Sequence, residues 1–135
     1  NAMVCNWFTQ VSFEPQHIVV SMEKSSYTYG LVAKSKQLAI NIFDKSGADT
    51  IKNFSKSRAK NPDKFSSANY SDGPITGVPV IDEAVAFIEC EVIDELDTGG
   101  RHALLLCKVV NAEVRKEGKS EETLTLLDIG WSYSG

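Results

Sequence analysis

The residues best suited to chemistry in this chain are gathered in its first thirty positions, where NWFTQVSFEP (Asn6 to Pro15) runs into HIVVSMEKSSYT (His17 to Thr28). Thr9, Gln10 and Ser12 present polar edges along one strand-like run. After a second run, Lys24, Ser25, Ser26 and Thr28 supply one charge, several hydroxyls and a helix N-terminus able to receive a phosphate. Polar edges on one segment and phosphate donors on the next suit a flat, anionic ligand, and flavin mononucleotide (FMN) is the candidate.

The elements needed to position these groups follow from periodicity and punctuation. Val4 to Ser12 and His17 to Met22 are predicted as strands around a Glu14-Pro15 turn, the second of them rich in β-branched residues. Ser25 or Ser26 is the expected N-cap of a helix of about two turns carrying Leu31, Val32 and Ser35. Gln37 to Phe43 is an apolar run too short for most helices and is predicted as a buried strand, whereas Ala48, Ile51 and Phe54 mark a second short helix over Gly47 to Ser55. Ser57 to Gly77 is expected to be a long loop. In Ala84 to Leu96 the residues Ala86, Ile88, Cys90 and Val92 alternate with Phe87, Glu89, Glu91 and Ile93. A hairpin is predicted at Asp97-Thr98-Gly99-Gly100, with Leu104 to Val114 pairing back and Leu124 to Ile129 closing the sheet. The fold class is mainly β, a closed or nearly closed barrel with two or three short helices, in a single domain over all 135 residues.

Composition narrows the functions available. With 42% hydrophobic and 24% charged residues the chain reads as an ordinary globular protein. A net charge of −4 argues against a general nucleic-acid binder, which needs a basic face to displace counterions. Cys5, Cys90 and Cys107 are odd in number and lack C-x-x-C spacing, so neither a disulfide framework nor a zinc site is expected, and Cys90 and Cys107 read as buried thiols in apolar strands. No apolar run approaches the ~20 residues of a membrane span, and no signal segment opens the chain, so a cytoplasmic location is expected.

The ordered series WFTQVSFEP, a strand, EKSSYT, LAINIF and GRHALLLCKVVNAEV resembles the FMN-binding split-barrel flavin reductase family, which includes flavoredoxin-like proteins. The resemblance covers nearly the whole chain and thins between Lys56 and Gly77. It implies an FMN-dependent oxidoreductase of NAD(P)H:flavin reductase type, a homodimer with the flavin near its interface, and hydride chemistry that belongs to the cofactor, so no acid/base residue is assigned. By the resemblance the ring edge falls to Thr9, Gln10, Val11 and Ser12 with Asn6 and Trp7 close by, and the phosphate and ribityl chain fall to Lys24, Ser26, Tyr27 and Thr28. Phe54 and Ser55 are weaker cofactor contacts. His102 occupies a place near the flavin and the incoming nicotinamide, although Arg101 stands before it where the family often carries an acid.

Alternatives remain open at several positions. The basic run Lys52, Lys56, Arg58, Lys60 and Lys64, with Asp63 as the one acid, is either a solvated surface or a means of drawing in an anionic dinucleotide. Trp7, Trp131 and Tyr133 pack in the core, on the ring or across a dimer. Asn1-Ala2-Met3 is either an expression-tag remnant or native. The family often carries Asn-Ala or Asn-Ala-Met here, which favours a native segment with a preceding strand outside this sequence and an exposed sheet edge left behind. Two other functions stand beside the reductase: a flavin-binding electron-transfer module without NAD(P)H activity of its own, and a barrel serving only as an interaction module.

Overall fold

The computed structural model describes residues 1–132, so the Tyr133 expectation lies outside the described residues. Seven strands and two helices follow one another as β1 (Phe8–Phe13), β2 (Gln16–Glu23), α1 (Tyr27–Ser35), β3 (Gln37–Ile42), α2 (Ala48–Ser55), β4 (Tyr70–Asp72), β5 (Pro79–Ile81), β6 (Ala86–Asp97) and β7 (His102–Val114). Five strands form an antiparallel sheet in the order β1-β2-β7-β6-β3, and β4 pairs with β5.

Period-2 alternation determines what each face of that sheet buries. Ile18, Val20 and Met22 of β2 stand opposite Cys107, Leu105 and Ala103 of β7, and all six are buried. Val32 of α1, Leu38 of β3 and Cys90 of β6 complete this core. A second cluster gathers Phe43, Phe54, Ile81 and Ala84, with Phe65 packed against it. Cys90 and Cys107 are free, buried thiols, as their apolar strands imply.

The N-cap of α1 is Ser26, whose hydroxyl accepts from the Tyr29 amide at 3.1 Å. The helix ends at Lys36 in the left-handed conformation (φ 56°), where its amide closes on the Val32 carbonyl. That geometry turns the chain sharply into β3.

Several expectations need correction. The paired strand expected over Val4 to Ser12 begins only at Phe8. The Ser21 amide bonds the Trp7 carbonyl just before the strand begins, and Val4 to Asn6 line a cavity. Leu124 to Ile129 does not close the sheet. The Leu124 amide bonds the Phe43 carbonyl, and then the Asp128 carboxylate accepts from both the amide and the hydroxyl of Thr125, drawing the chain into a 3-10 turn at Leu127–Ile129. The sheet is therefore open, with β1 and β3 as its edges.

The segment expected to be loop from Ser57 to Gly77 contains a 3-10 turn at Lys64–Ser67 and strand β4. Its anchors are aromatic and ionic. Phe65 sits edge-on to both Phe54 and Tyr70, and the fully buried Glu89 carboxylate accepts from the Thr76 amide and hydroxyl, the Ile75 amide and Asn111 Nδ2. Burial pushes the Glu89 carboxyl up, but these donors together outweigh it and hold it below its ordinary value. Lys64, counted among the basic surface residues, is also buried. Its ammonium donates to the carbonyls of Ala2 and Phe54, tying the start of the chain to the end of α2, and burial lowers its pKa.

Candidate functional site

Register sorts the candidate residues by face, because residues opposite one another across a sheet point the same way. Thr9 pairs with Val19 and Val19 with Leu106, Ser21 pairs with Leu104, and Glu23 pairs with His102. These residues share the face opposite the Ile18–Val20–Met22 core. Ser12 joins them through His17, beyond a register shift that leaves Val11 unpaired and about half exposed. Gln10 is opposite Ile18 on the other face and donates to the Ser12 carbonyl at 3.2 Å. Of the four ring-edge candidates, Thr9 and Ser12 therefore present hydroxyls to the outward face and Val11 lies at the bulge.

Trp7 and His102 come from segments 95 positions apart, yet their rings lie 5.3 Å apart at 53°. β2 makes this possible by pairing with both β1 and β7. The outward face thus carries Trp7, Thr9, Ser12 and His102, beside an edge strand whose outer side has no neighbouring strand among the described residues. A heteroaromatic edge rich in N and O atoms can be met by such backbone groups and hydroxyls.

The second cluster is the turn from β2 into α1. The Tyr27 and Thr28 amides open the helix and find no acceptor among the described residues, while Ser26 caps Tyr29. Thr28 Oγ1 accepts from Asn1 Nδ2 at 2.7 Å. Lys24 is 2.8 Å from Asp97, whose carboxyl is held low chiefly by that hydrogen bond. Arg101 binds Glu23 at 2.6 Å and is the main cause of the lowered Glu23 pKa. Both ion pairs fasten the β6–β7 hairpin to the end of β2, so neither cation stands free for an anion.

The remaining candidates are elsewhere. Ser55 donates to the Lys52 carbonyl of its own helix at 2.7 Å, and Phe54 is a core residue. Phe54, Asn6, Trp7 and Thr28 do line a mainly apolar cavity of about 670 Å³, whose walls include Met3, Val20, Leu38, Ile40 and Leu124. Within the described residues no cluster of His, Cys, Asp and Glu is arranged to hold a metal, and no described helix is long and apolar enough to cross a membrane. Two features escaped the sequence: the Trp7–His102 contact, which has no local signal, and Arg58, whose guanidinium carbon lies 4.2 Å from the Tyr27 ring centroid.

The sequence model of the family described as "Flavin reductase like domain" matches residues 1–134. A ferric-chelate reductase (NAD(P)H) of Archaeoglobus fulgidus is 31% identical over 127 residues, covering 93% of this chain and 72% of that protein. An NADH-dependent FAD reductase of Streptomyces globisporus is 28% identical, with 82% of this chain and 60% of that protein covered. A diflavin flavoprotein of Synechocystis is 26% identical, covering 85% of this chain but only 20% of that longer protein. Among solved structures, nitrilotriacetate monooxygenase component B from Mycobacterium thermoresistibile superposes with a TM-score of 0.79 at 26% identity, covering 87% of this chain and 63% of that one. A Streptomyces globisporus NADH:FAD oxidoreductase superposes with a TM-score of 0.77 at 24% identity, covering 83% and 66%. The mainly β fold of this chain is the fold of these structures.

Proposed function

The chain belongs to the flavin reductase like domain family, and on that premise we propose that it is an FMN-binding oxidoreductase drawing electrons from NADH or NADPH. The observation that carries the reading is the contact of Trp7 with His102 on the sheet face that also carries Thr9 and Ser12 along the edge strand β1. Names among the relatives support the reaction class, including the ferric-chelate reductase (NAD(P)H) and the NADH-dependent FAD reductase.

The residues present fit the cofactor. Backbone groups of Thr9 to Ser12, with the Thr9 and Ser12 hydroxyls, meet the polar edge of the ring, and Trp7 bounds it. The open amides of Tyr27 and Thr28, with the Ser26 and Thr28 hydroxyls, receive the phosphate, where the helix dipole favours negative charge. When bound, the flavin supplies hydride acceptance, and the protein supplies orientation and exclusion of water. His102 abuts Trp7 on the face where a nicotinamide would stack and orients it.

The same face carries Leu96, 63% exposed, opposite Leu104 of β7. An apolar patch of this kind supports a symmetric homodimer that covers the flavin, and light scattering on the wild type and on Leu96→Glu checks it: a dimer converted to a monomer is expected. The match to diflavin flavoproteins favours a second reading, an electron-transfer module within a longer protein. One experiment separates the two. Protein supplied with FMN and mixed anaerobically with NADH or NADPH bleaches the flavin band if it is a reductase, and leaves the band unchanged if it is only a module.

A further inference from the structure

Four cations surround the start of α1, and three of them are engaged. Lys24 is paired with Asp97, Arg101 with Glu23, and Lys64 is buried on two carbonyls. Arg58 differs. Its guanidinium is stacked on Tyr27, the first residue of α1, and among the described residues it makes no hydrogen bond or ion pair. Its charge also reaches Asn1, whose amine is shifted down first by burial and then by Arg58 and Lys64. Asn1 in turn donates to Thr28. Arg58 therefore stands over the helix start, where the Tyr27 and Thr28 amides lack acceptors, with its fan of N–H donors free.

We propose that Arg58 is the residue that reads the phosphate of the bound flavin, and that Lys24 is instead a structural tie to the β6–β7 hairpin. The inference rests on the FMN reading above and names the charge within that site. A guanidinium held over a ring gives up little further freedom on binding, and its planar fork matches two phosphate oxygens at once. An ammonium already paired with a carboxylate would have to leave that partner first. Tyr27 therefore acts as a positioning residue for Arg58.

Flavin fluorescence titrations of the full chain with riboflavin, FMN and FAD test this in the wild type, Arg58→Gln, Arg58→Lys and Lys24→Met. Losing a charge-assisted phosphate contact should weaken FMN roughly ten- to hundredfold in Arg58→Gln and leave riboflavin unchanged. Arg58→Lys should fall between, because it keeps the charge without the fork, and Lys24→Met should keep the wild-type preference for FMN over riboflavin. Arg58 is on the surface, so the urea midpoint of Arg58→Gln should match the wild type. Equal losses for riboflavin and FMN, a loss confined to FAD, or a preference abolished by Lys24→Met would each overturn the proposal while leaving flavin binding in place. A wild type that binds no flavin would remove the functional reading and this inference together.

Discussion

The two edges of the five-stranded sheet are finished in opposite ways. β1 is almost wholly exposed, carries hydroxyls and unshared backbone groups, and leans on the best-packed part of the molecule through β2 and β7. β3 is partly buried and backs onto the aliphatic cavity of about 670 Å³. One edge offers hydrogen bonds on a rigid support, and the other offers a mainly apolar volume. The proposed recognition of a polar ring edge fits the first, because directional donors and acceptors orient a ligand and apolar volume alone does not.

The largest expected contrast is in stability. Leu105 of β7, 1% exposed and opposite Val20 of β2, should cost about 2–5 kcal/mol when replaced by alanine. Leu31 lines the cavity and is 37% exposed, so Leu31→Ala should cost below about 1 kcal/mol. Urea unfolding of the two variants measures the difference, and similar costs would mean that the β3 side is as tightly packed as the β2–β7 side.

A smaller effect sharpens the assignment of roles on the outward face. His102→Ala should raise the KM for NADH or NADPH about fivefold, the equivalent of roughly one hydrogen bond, with FMN affinity intact. Steady-state kinetics beside an FMN titration separates the two, and parallel losses in both would make His102 a support for Trp7 and nothing more.

The smallest effect lies at the β3 end. The Asp44 carboxyl is held down at about 2, first by its hydrogen bond from Lys116 and then by those from Ser46. A carboxylate with a folded pKa below its unfolded value stabilises the fold above the ordinary carboxylate range and loses that contribution as pH falls through the folded value. Between about pH 4 and about pH 2 the wild type should therefore lose its stability advantage over Asp44→Asn. Acid titrations followed by circular dichroism compare them, and parallel curves would mean that the Asp44–Lys116 pair is open in solution.

How much of this was legible in the sequence depended on the range of the interactions involved. β2 and β7 were readable because their alternation is local, and the helix start was readable because Ser26 caps it three residues from its partner. The hairpin at Thr98-Gly99-Gly100 carried its own turn chemistry, with Gly99 at φ 73°. The closing strand failed at Asp128, whose bonds to Thr125 compete with sheet pairing and won. β4 and β5 are three residues each, too short to show a period. In the candidate site, Thr9 and Ser12 were read as polar residues of one strand; Thr9 parts from Gln10 by simple alternation, but Ser12 shares the face of Thr9 only because of the bulge at Val11. The fates of Lys24, Arg58 and Lys64 were hidden, because a lysine or arginine in a basic run gives no sign of whether a distant carboxylate, ring or carbonyl will engage it.

The contrast between the two edges is tested most directly by mapping where FMN binds. In a two-dimensional amide spectrum of the isotope-labelled protein saturated with FMN, shifts are expected to centre on Thr9 to Ser12, Ser26 to Thr28 and His102. Shifts confined to Leu38 to Ile42 and Leu124 to Ile129, around the aliphatic cavity, would contradict it.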